Sequence, residues 1–93
     1  MAFSIDLKGK KGVVFGVANH RSIAWGISKL LADAGAELCF TYLNERLKKP
    51  VEKTVSEIGN PLLLECDATD EKQIEKVYKT VKNKYGSIDF IVH

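Results

Sequence analysis

Four short apolar runs, each separated from the next by one stretch of helical spacing, leave this chain few folds to choose from. The runs are Gly12 to Gly16, Glu37 to Tyr42, Leu62 to Cys66 and Ile88 to His93. They are almost continuously apolar, as strands buried on both faces are, and such strands joined by helices form a parallel sheet. Right-handed crossovers then favour the order 3-2-1-4. That is an α/β fold with helices on both faces, the first half of a Rossmann sheet with one strand of the second. The first and fourth runs become neighbours, and the crevice between their carboxyl ends is the topological switch point where such sheets hold ligands. Gly16 and His93 both fall at that edge.

The segments between the runs read as helices. In the first, Ile23, Ile27, Leu30, Leu31 and Ala34 make one apolar stripe, with Ser22 as N-cap and Gly35 as the stop. Trp25, on the same segment, is expected to be partly buried, under the second half of the sheet or against a partner. In the second, Leu47, Val51, Val55 and Ile58 keep helical spacing around Pro50, which cannot donate its N–H. The spacing predicts an irregular turn from Asn44 and a regular helix from Pro50, ending before Gly59. The third begins near Asp70, with Gln73 completing a capping box, carries Ile74, Val77, Tyr78, Val81 and Tyr85 on its apolar stripe, and closes at Gly86.

The stretch from Gly16 to Gly26, which follows the first run directly, has the layout of a phosphate site built from backbone. Gly16 lets the chain turn sharply and approach a ligand, and the first N–H groups of the following helix have no intrahelical partners. The second glycine of the G-x-G-x-x-G fingerprint is absent. In the blander alternative Gly16 only turns the chain and Ser22 only caps a helix. Charge argues for no other partner: 14 basic and 12 acidic residues leave a net charge of +2, too balanced for a nucleic-acid or membrane surface. Cys39 and Cys66 sit inside apolar segments and read as buried thiols of a reducing compartment. No segment has the length of a signal peptide or membrane span, so a cytoplasmic location, or an organelle stroma, is expected. His20 and His93 lack spaced partners for a metal, and no metal site is expected.

Gly16-Val17-Ala18-Asn19-x-x-Ser22-Ile23-Ala24-Trp25-Gly26-Ile27, then Gly35-Ala36-Glu37-Leu38-x-Phe40-Thr41-Tyr42, closely resembles the NADH-dependent enoyl-acyl-carrier-protein reductases, which are divergent short-chain dehydrogenase/reductases. Cys66-Asp67-Ala68-Thr69-Asp70 and Gly86-Ser87-Ile88-Asp89-Phe90-Ile91-Val92-His93 are similar to the same family's third and fourth strand regions. The resemblance implies that Gly16 approaches the ribose and phosphates of the cofactor and that Ser22 and Ile23 contact its pyrophosphate. It implies that Asp67 bonds the adenine amino group and that Ala68 adds backbone contacts; in the blander alternative Asp67 only satisfies loop N–H groups before the Asp70 cap. An acid at the end of the second strand selects NAD and a base NADP; here Leu43 is neutral, which the family tolerates in its NADH users, so NADH is expected. The implied substrate is an enoyl thioester on acyl carrier protein, reduced at its 2,3 double bond, and the implied assembly is a homotetramer.

The family's pattern continues past His93, so residues 1–93 are expected to be the amino-terminal part of a single dinucleotide-binding domain. Tyr78-x-x-x-Lys82 and Tyr42-x6-Lys49 match the spacing of the short-chain dehydrogenase and enoyl reductase catalytic pairs. Tyr78 lies on an apolar helical stripe and Tyr42 at the adenosine side, so neither is assigned a catalytic role. No catalytic residue is expected here, and the 93 residues alone are expected to be inactive. The fourth run, lacking a fifth strand beside it, is expected to expose an apolar edge that favours aggregation or pairing with another copy, and the region of Trp25 is expected to be uncovered with it. Two other readings stay open: another short-chain dehydrogenase/reductase, whose T-G-x-x-x-G-x-G loop this chain lacks, and a non-catalytic nucleotide-binding module.

Overall fold

Successive residues of a strand point to opposite faces of a sheet, and Val13 and Val14 begin the two cores of this molecule. The computed structural model describes residues 6–93. Strands β1 (Lys11–Val14), β2 (Glu37–Tyr42), β3 (Leu62–Glu65) and β4 (Phe90–Val92) form one sheet in the order β3-β2-β1-β4. All neighbours are parallel, with Val13 opposite Cys39 and Ile91, and Cys39 opposite Leu62. The α/β Rossmann-type sheet and its strand order are therefore as the alternation predicts. Helices α1 (Ile23–Asp33) and α2 (Glu45–Val55) cover one face, where Val14, Leu38 and Phe40 meet Trp25, Val51 and Val55. Helix α3 (Glu71–Tyr85) covers the other, where Val13, Phe15 and Cys39 meet Val77 and Val81.

The stripe expected on α1 faces the wrong way. Ile23, Ile27 and Leu30 are 84%, 41% and 70% exposed, whereas Trp25 and Ser28 are buried, with Ala24, Leu31 and Ala32 packed beside them. The helix has two apolar faces, and the sheet takes the one with the indole. Small Ala24, Ser28 and Ala32 let the backbone approach, and the Ser28 hydroxyl is satisfied by donating to the Ala24 carbonyl at 2.6 Å. Trp25 is thus a core residue, its ring 6.0 Å from that of Phe40, and neither partly buried nor uncovered.

Helix α2 begins at Glu45, not at Pro50. Asn44 caps it by accepting from the Leu47 N–H at 3.2 Å. Pro50 cannot donate to the carbonyl of Arg46, an exposed residue, so the helix forgoes one backbone hydrogen bond there. Burial of Val51, Thr54 and Val55 holds the remaining turns, and a 3-10 turn, Ser56–Ile58, ends the segment before Gly59. The Asp70 cap is present, with Lys72 and Gln73 N–H donating to its carboxylate. The reciprocal half of the box is displaced: Gln73 Oε1 accepts from the Asp67 N–H at 2.8 Å instead, because the Asp70 N–H already donates to the Asp67 carbonyl.

Strands β1, β3 and β4 are shorter than the apolar runs that encode them. At the amino edge Asp89 clamps β1 through its side chain and its own N–H, at 2.8 and 2.7 Å from Lys11 backbone atoms. Lys11 in turn reaches Glu37 at 2.6 Å and lies 5.6 Å from the centre of the Tyr85 ring. The Tyr85 hydroxyl donates to the Leu38 carbonyl and accepts from the Leu62 N–H, tying the starts of β2 and β3 together. On β4, Ile91 is half exposed at the open edge of the sheet. Among the described residues, no helix is long and apolar enough to cross a membrane.

Candidate functional site

Parallel strands carry their carboxyl ends to one edge, so the segments after β1, β2 and β3 converge there whatever their side chains. Gly16 follows β1 with φ +88°, in the left-handed region that glycine adopts without strain. A Cβ built on it would meet nothing within 4 Å. The space beside Gly16 is open, as a backbone-lined ligand cradle requires.

From Gly16 the chain bends through residues 17–22 into α1. Ser22 is the N-cap by backbone conformation, but its side chain does not cap the helix. Its Oγ accepts instead from the N–H groups of Ala18 at 2.9 Å and Asn19 at 3.2 Å. The Ser22 N–H donates to the Asn19 carbonyl at 3.1 Å, and Asn19 Oδ1 accepts from the Arg21 N–H at 2.8 Å. Trp25 N–H is bonded to the Ser22 carbonyl, whereas Ile23 and Ala24 N–H have no acceptor among the described residues. Two free backbone donors at the positive end of a helix, with the Ser22 hydroxyl proton beside them, suit an anion. The donor set fits the pyrophosphate of a dinucleotide. His20 is exposed and its Nε2 lies 3.2 Å from the Glu57 carboxylate.

At the end of β2, Leu43 is half exposed and uncharged, and the Asn44 side chain is occupied as a cap. Arg46 follows one residue into α2, exposed. At the end of β3, Cys66 N–H donates to the Tyr42 carbonyl and extends the pairing by one residue. Asp67 then turns the chain, its Oδ1 accepting from the Thr69 hydroxyl at 2.7 Å and the Thr69 N–H at 2.9 Å. Those two bonds, the hydroxyl's first, hold the Asp67 carboxyl below its ordinary value. Asp67 therefore serves its own loop with one oxygen while Oδ2 accepts from no protein donor among the described residues. Ala68 is exposed beside it.

His93 closes the same edge, its ring 5.8 Å from that of Phe15. Tyr42 is buried in the core of the α1–α2 face and Tyr78 packs on the α3 face, so neither tyrosine of the two spacing matches stands free for chemistry. Burial, with a smaller contribution from Cys66, pushes the Cys39 thiol up to about 12, and burial raises Cys66 too, so both stay protonated and unreactive. Among the described residues no three His, Cys, Asp or Glu side chains converge on a metal position. A hollow of about 290 Å3, lined by Ala36, Glu37, Leu38, Asn60, Pro61 and Tyr85, lies at the opposite, amino edge of the sheet.

The edge thus gathers Gly16, Ser22, Ile23, Leu43, Asp67 and Ala68 from three separate loops. The sequence reading passed over Ala18 and Asn19, whose backbone groups receive the Ser22 side chain. The Asn-x-x-Ser spacing is the available signal, of which only Ser22 is read from the sequence, as the N-cap.

Residues 16–93 match the family model described as enoyl-(acyl carrier protein) reductase. The chain is 49% identical over 87 residues to the enoyl-[acyl-carrier-protein] reductase [NADH] 1 of Rhizobium meliloti, covering 94% of this chain and 32% of that protein. Its fold is similar to the enoyl-(acyl-carrier-protein) reductase of Anaplasma phagocytophilum solved in complex with NAD, with a TM-score of 0.89 and 41% identity, covering 100% of this chain and 36% of that one. It is equally similar to the Bacillus cereus enzyme solved with NADP+ and indole naphthyridinone, at TM-score 0.89 and 42% identity, over 96% of this chain and 35% of that one. The chain spans about a third of the length of these relatives.

Proposed function

The chain belongs to the enoyl-(acyl carrier protein) reductase family, and from that premise we propose that it forms the NADH-holding portion of an enzyme reducing the 2,3 double bond of an enoyl thioester on acyl carrier protein. The observation that carries this reading is the pair of N–H groups at Ile23 and Ala24, which find no acceptor among the described residues and follow the Gly16 turn at the carboxyl edge of the sheet. The cofactor, when bound, supplies a hydride for C3 of the enoyl group.

This chain's own residues bind and orient. Gly16 admits the ribose and phosphates close to the backbone. Ile23 N–H, Ala24 N–H and the Ser22 hydroxyl hold the pyrophosphate, where hydrogen bonds to a charged oxygen are the strong kind. Asp67 Oδ2 takes the adenine amino group, an acceptor-only atom facing an N–H donor, and Ala68 lines the ring through its backbone. Leu43 lies where a 2′-phosphate would need a cation, which favours NADH. The catalytic tyrosine and lysine lie outside these residues, and residues 1–93 by themselves turn over no substrate. The whole enzyme works as a cytoplasmic homo-oligomer.

The test is calorimetric titration of NADH into the protein that carries these residues, followed by NADH-dependent reduction of a crotonyl thioester. Binding with turnover is expected. A protein that binds no NADH refutes the reading.

A further inference from the structure

We propose that Asn19 and Ser22 form a latch that shapes the loop before α1 and keeps the first N–H groups of that helix free for a phosphate; the inference rests on the cofactor reading above. A serine at an N-cap ordinarily turns its oxygen toward the N–H groups of the second or third helical residue. A hydroxyl oxygen has two lone pairs, and here both are taken from the other side, by Ala18 and Asn19 N–H. The oxygen cannot also cap α1. Ala24 N–H, at the second helical position, is left without an acceptor among the described residues for that reason; Ile23 N–H, at the first, lies outside the reach of an N-cap side chain and stands open beside it.

The latch closes from both ends. Asn19 gives its N–H to Ser22 Oγ and takes the Ser22 N–H on its carbonyl, while its side-chain oxygen holds Arg21 N–H at 2.8 Å. With its lone pairs used, the Ser22 hydroxyl acts outward only as a donor. The Ser22 side chain therefore offers its proton and no lone pair where α1 begins, which suits a phosphate oxygen. His20 is engaged with Glu57 and takes no part. Asn19 is then a positioning residue, acting through Ser22 and the helix start without touching the cofactor.

NADH affinity of the protein carrying these residues tests this, measured for Ser22→Ala, Ser22→Thr, Asn19→Ala and the Ser22→Ala/Asn19→Ala pair. Ser22→Ala removes the acceptor of Ala18 and Asn19 N–H, whereas Asn19→Ala keeps both backbone bonds to Ser22 and removes the Oδ1 that holds Arg21 N–H and with it the turn. Each is expected to raise the Kd at least about fivefold, the scale of one net hydrogen bond. Ser22→Thr, which keeps the hydroxyl, is expected to recover most of the affinity that Ser22→Ala loses. The double variant is expected to be no weaker than the weaker single one, since both break one device. Parent-like binding by Asn19→Ala, or additive losses in the pair, overturns the latch while leaving the cofactor reading intact. A parent protein without NADH binding overturns both. Should Ser22→Ala fail to fold, Asn19→Ala and Ser22→Thr carry the comparison.

Discussion

Gly12 is kept small by a single ring. It stands opposite Phe90 in the β1–β4 register, and a Cβ built on it would fall 2.1, 2.3 and 2.7 Å from three atoms of the Phe90 ring. Carbon atoms rest at about 3.5–4.0 Å, so the substitution Gly12→Ala requires the ring, or all of β4, to withdraw by roughly 1.4 Å at the closest atom. Overpacking of this kind costs about 1–3 kcal/mol. Removing a strand glycine returns roughly 0.5–1 kcal/mol of backbone entropy, which leaves a net loss of about 1–2 kcal/mol. Phe90 is half-buried against the α1–α2 core, so swinging it out to relieve the clash forfeits part of that packing.

The partner substitution separates this clash from a general effect. Phe90→Ala alone should destabilise by deleting packed surface, on the order of 1–2 kcal/mol for a half-buried ring. In the Gly12→Ala background the same deletion also removes the clash and should cost close to nothing, giving a coupling energy of about 1 kcal/mol or more. Urea unfolding of the four proteins in the cycle reads this directly. The Phe15 N–H, bonded to the Val92 carbonyl at 2.9 Å, reports on β4 docking by hydrogen exchange and should lose protection in Gly12→Ala. Additive losses, or a Gly12→Ala protein as stable as its parent, would refute the reasoning.

Gly16→Val is expected to weaken NADH binding by about 2 kcal/mol or more; because the φ of +88° strains any side chain there, calorimetric affinity must be compared with the midpoint of unfolding, and an unchanged Kd in a folded variant would refute the cradle. Leu43→Arg is expected to improve NADPH use relative to NADH, since a guanidinium there meets a 2′-phosphate, as the ratio of kcat/KM for the two cofactors would show. Tyr85→Phe deletes a hydroxyl that serves Leu38 and Leu62, and a loss of about 1–2 kcal/mol in urea is expected. Cys39 keeps its proton to about 12 when folded against 9.0 unperturbed. Between those values the unfolded state binds fewer protons, so stability should fall as pH rises through that window. Cys39→Ala should flatten this alkaline limb of the unfolding curve.

The strand order was legible because it follows from alternation and handedness, which no single residue can reverse. The direction of α1 was not. Its sequence carries apolar residues on opposite sides, and periodicity weighs Ile23, Ile27 and Leu30 as heavily as Trp25, Leu31 and Ala32. What decides is close approach: the side bearing Ala24, Ser28 and Ala32 lets an indole reach Phe40, whereas the isoleucine side would hold the helix off the sheet. A buried serine therefore marked the core face better than an exposed leucine did. Pro50 misled for a related reason. The rule that it ends a helix weighs one missing hydrogen bond, and here burial of Val51, Thr54 and Val55 outweighs that loss.

The site divides along the same line. Its position is a property of the backbone: three parallel strands end at one edge, a glycine turns with a positive φ, and a helix starts with donors toward the crevice. The strand ends and the helix start survive almost any choice of side chains and the turn asks only for its glycine, which is why the sequence locates them. What Ser22 does is settled by a competition among N–H groups a few residues apart, those of Ala18 and Asn19 against those of α1. Such donors differ little in intrinsic strength, and loop geometry alone selects between them. The choice matters to function because the two outcomes are opposite: a serine capping α1 would use up part of the helix's attraction for an anion, whereas a serine turned back on its loop leaves that attraction whole. The structure takes the second course, and the phosphate site proposed at the start of α1 depends on it.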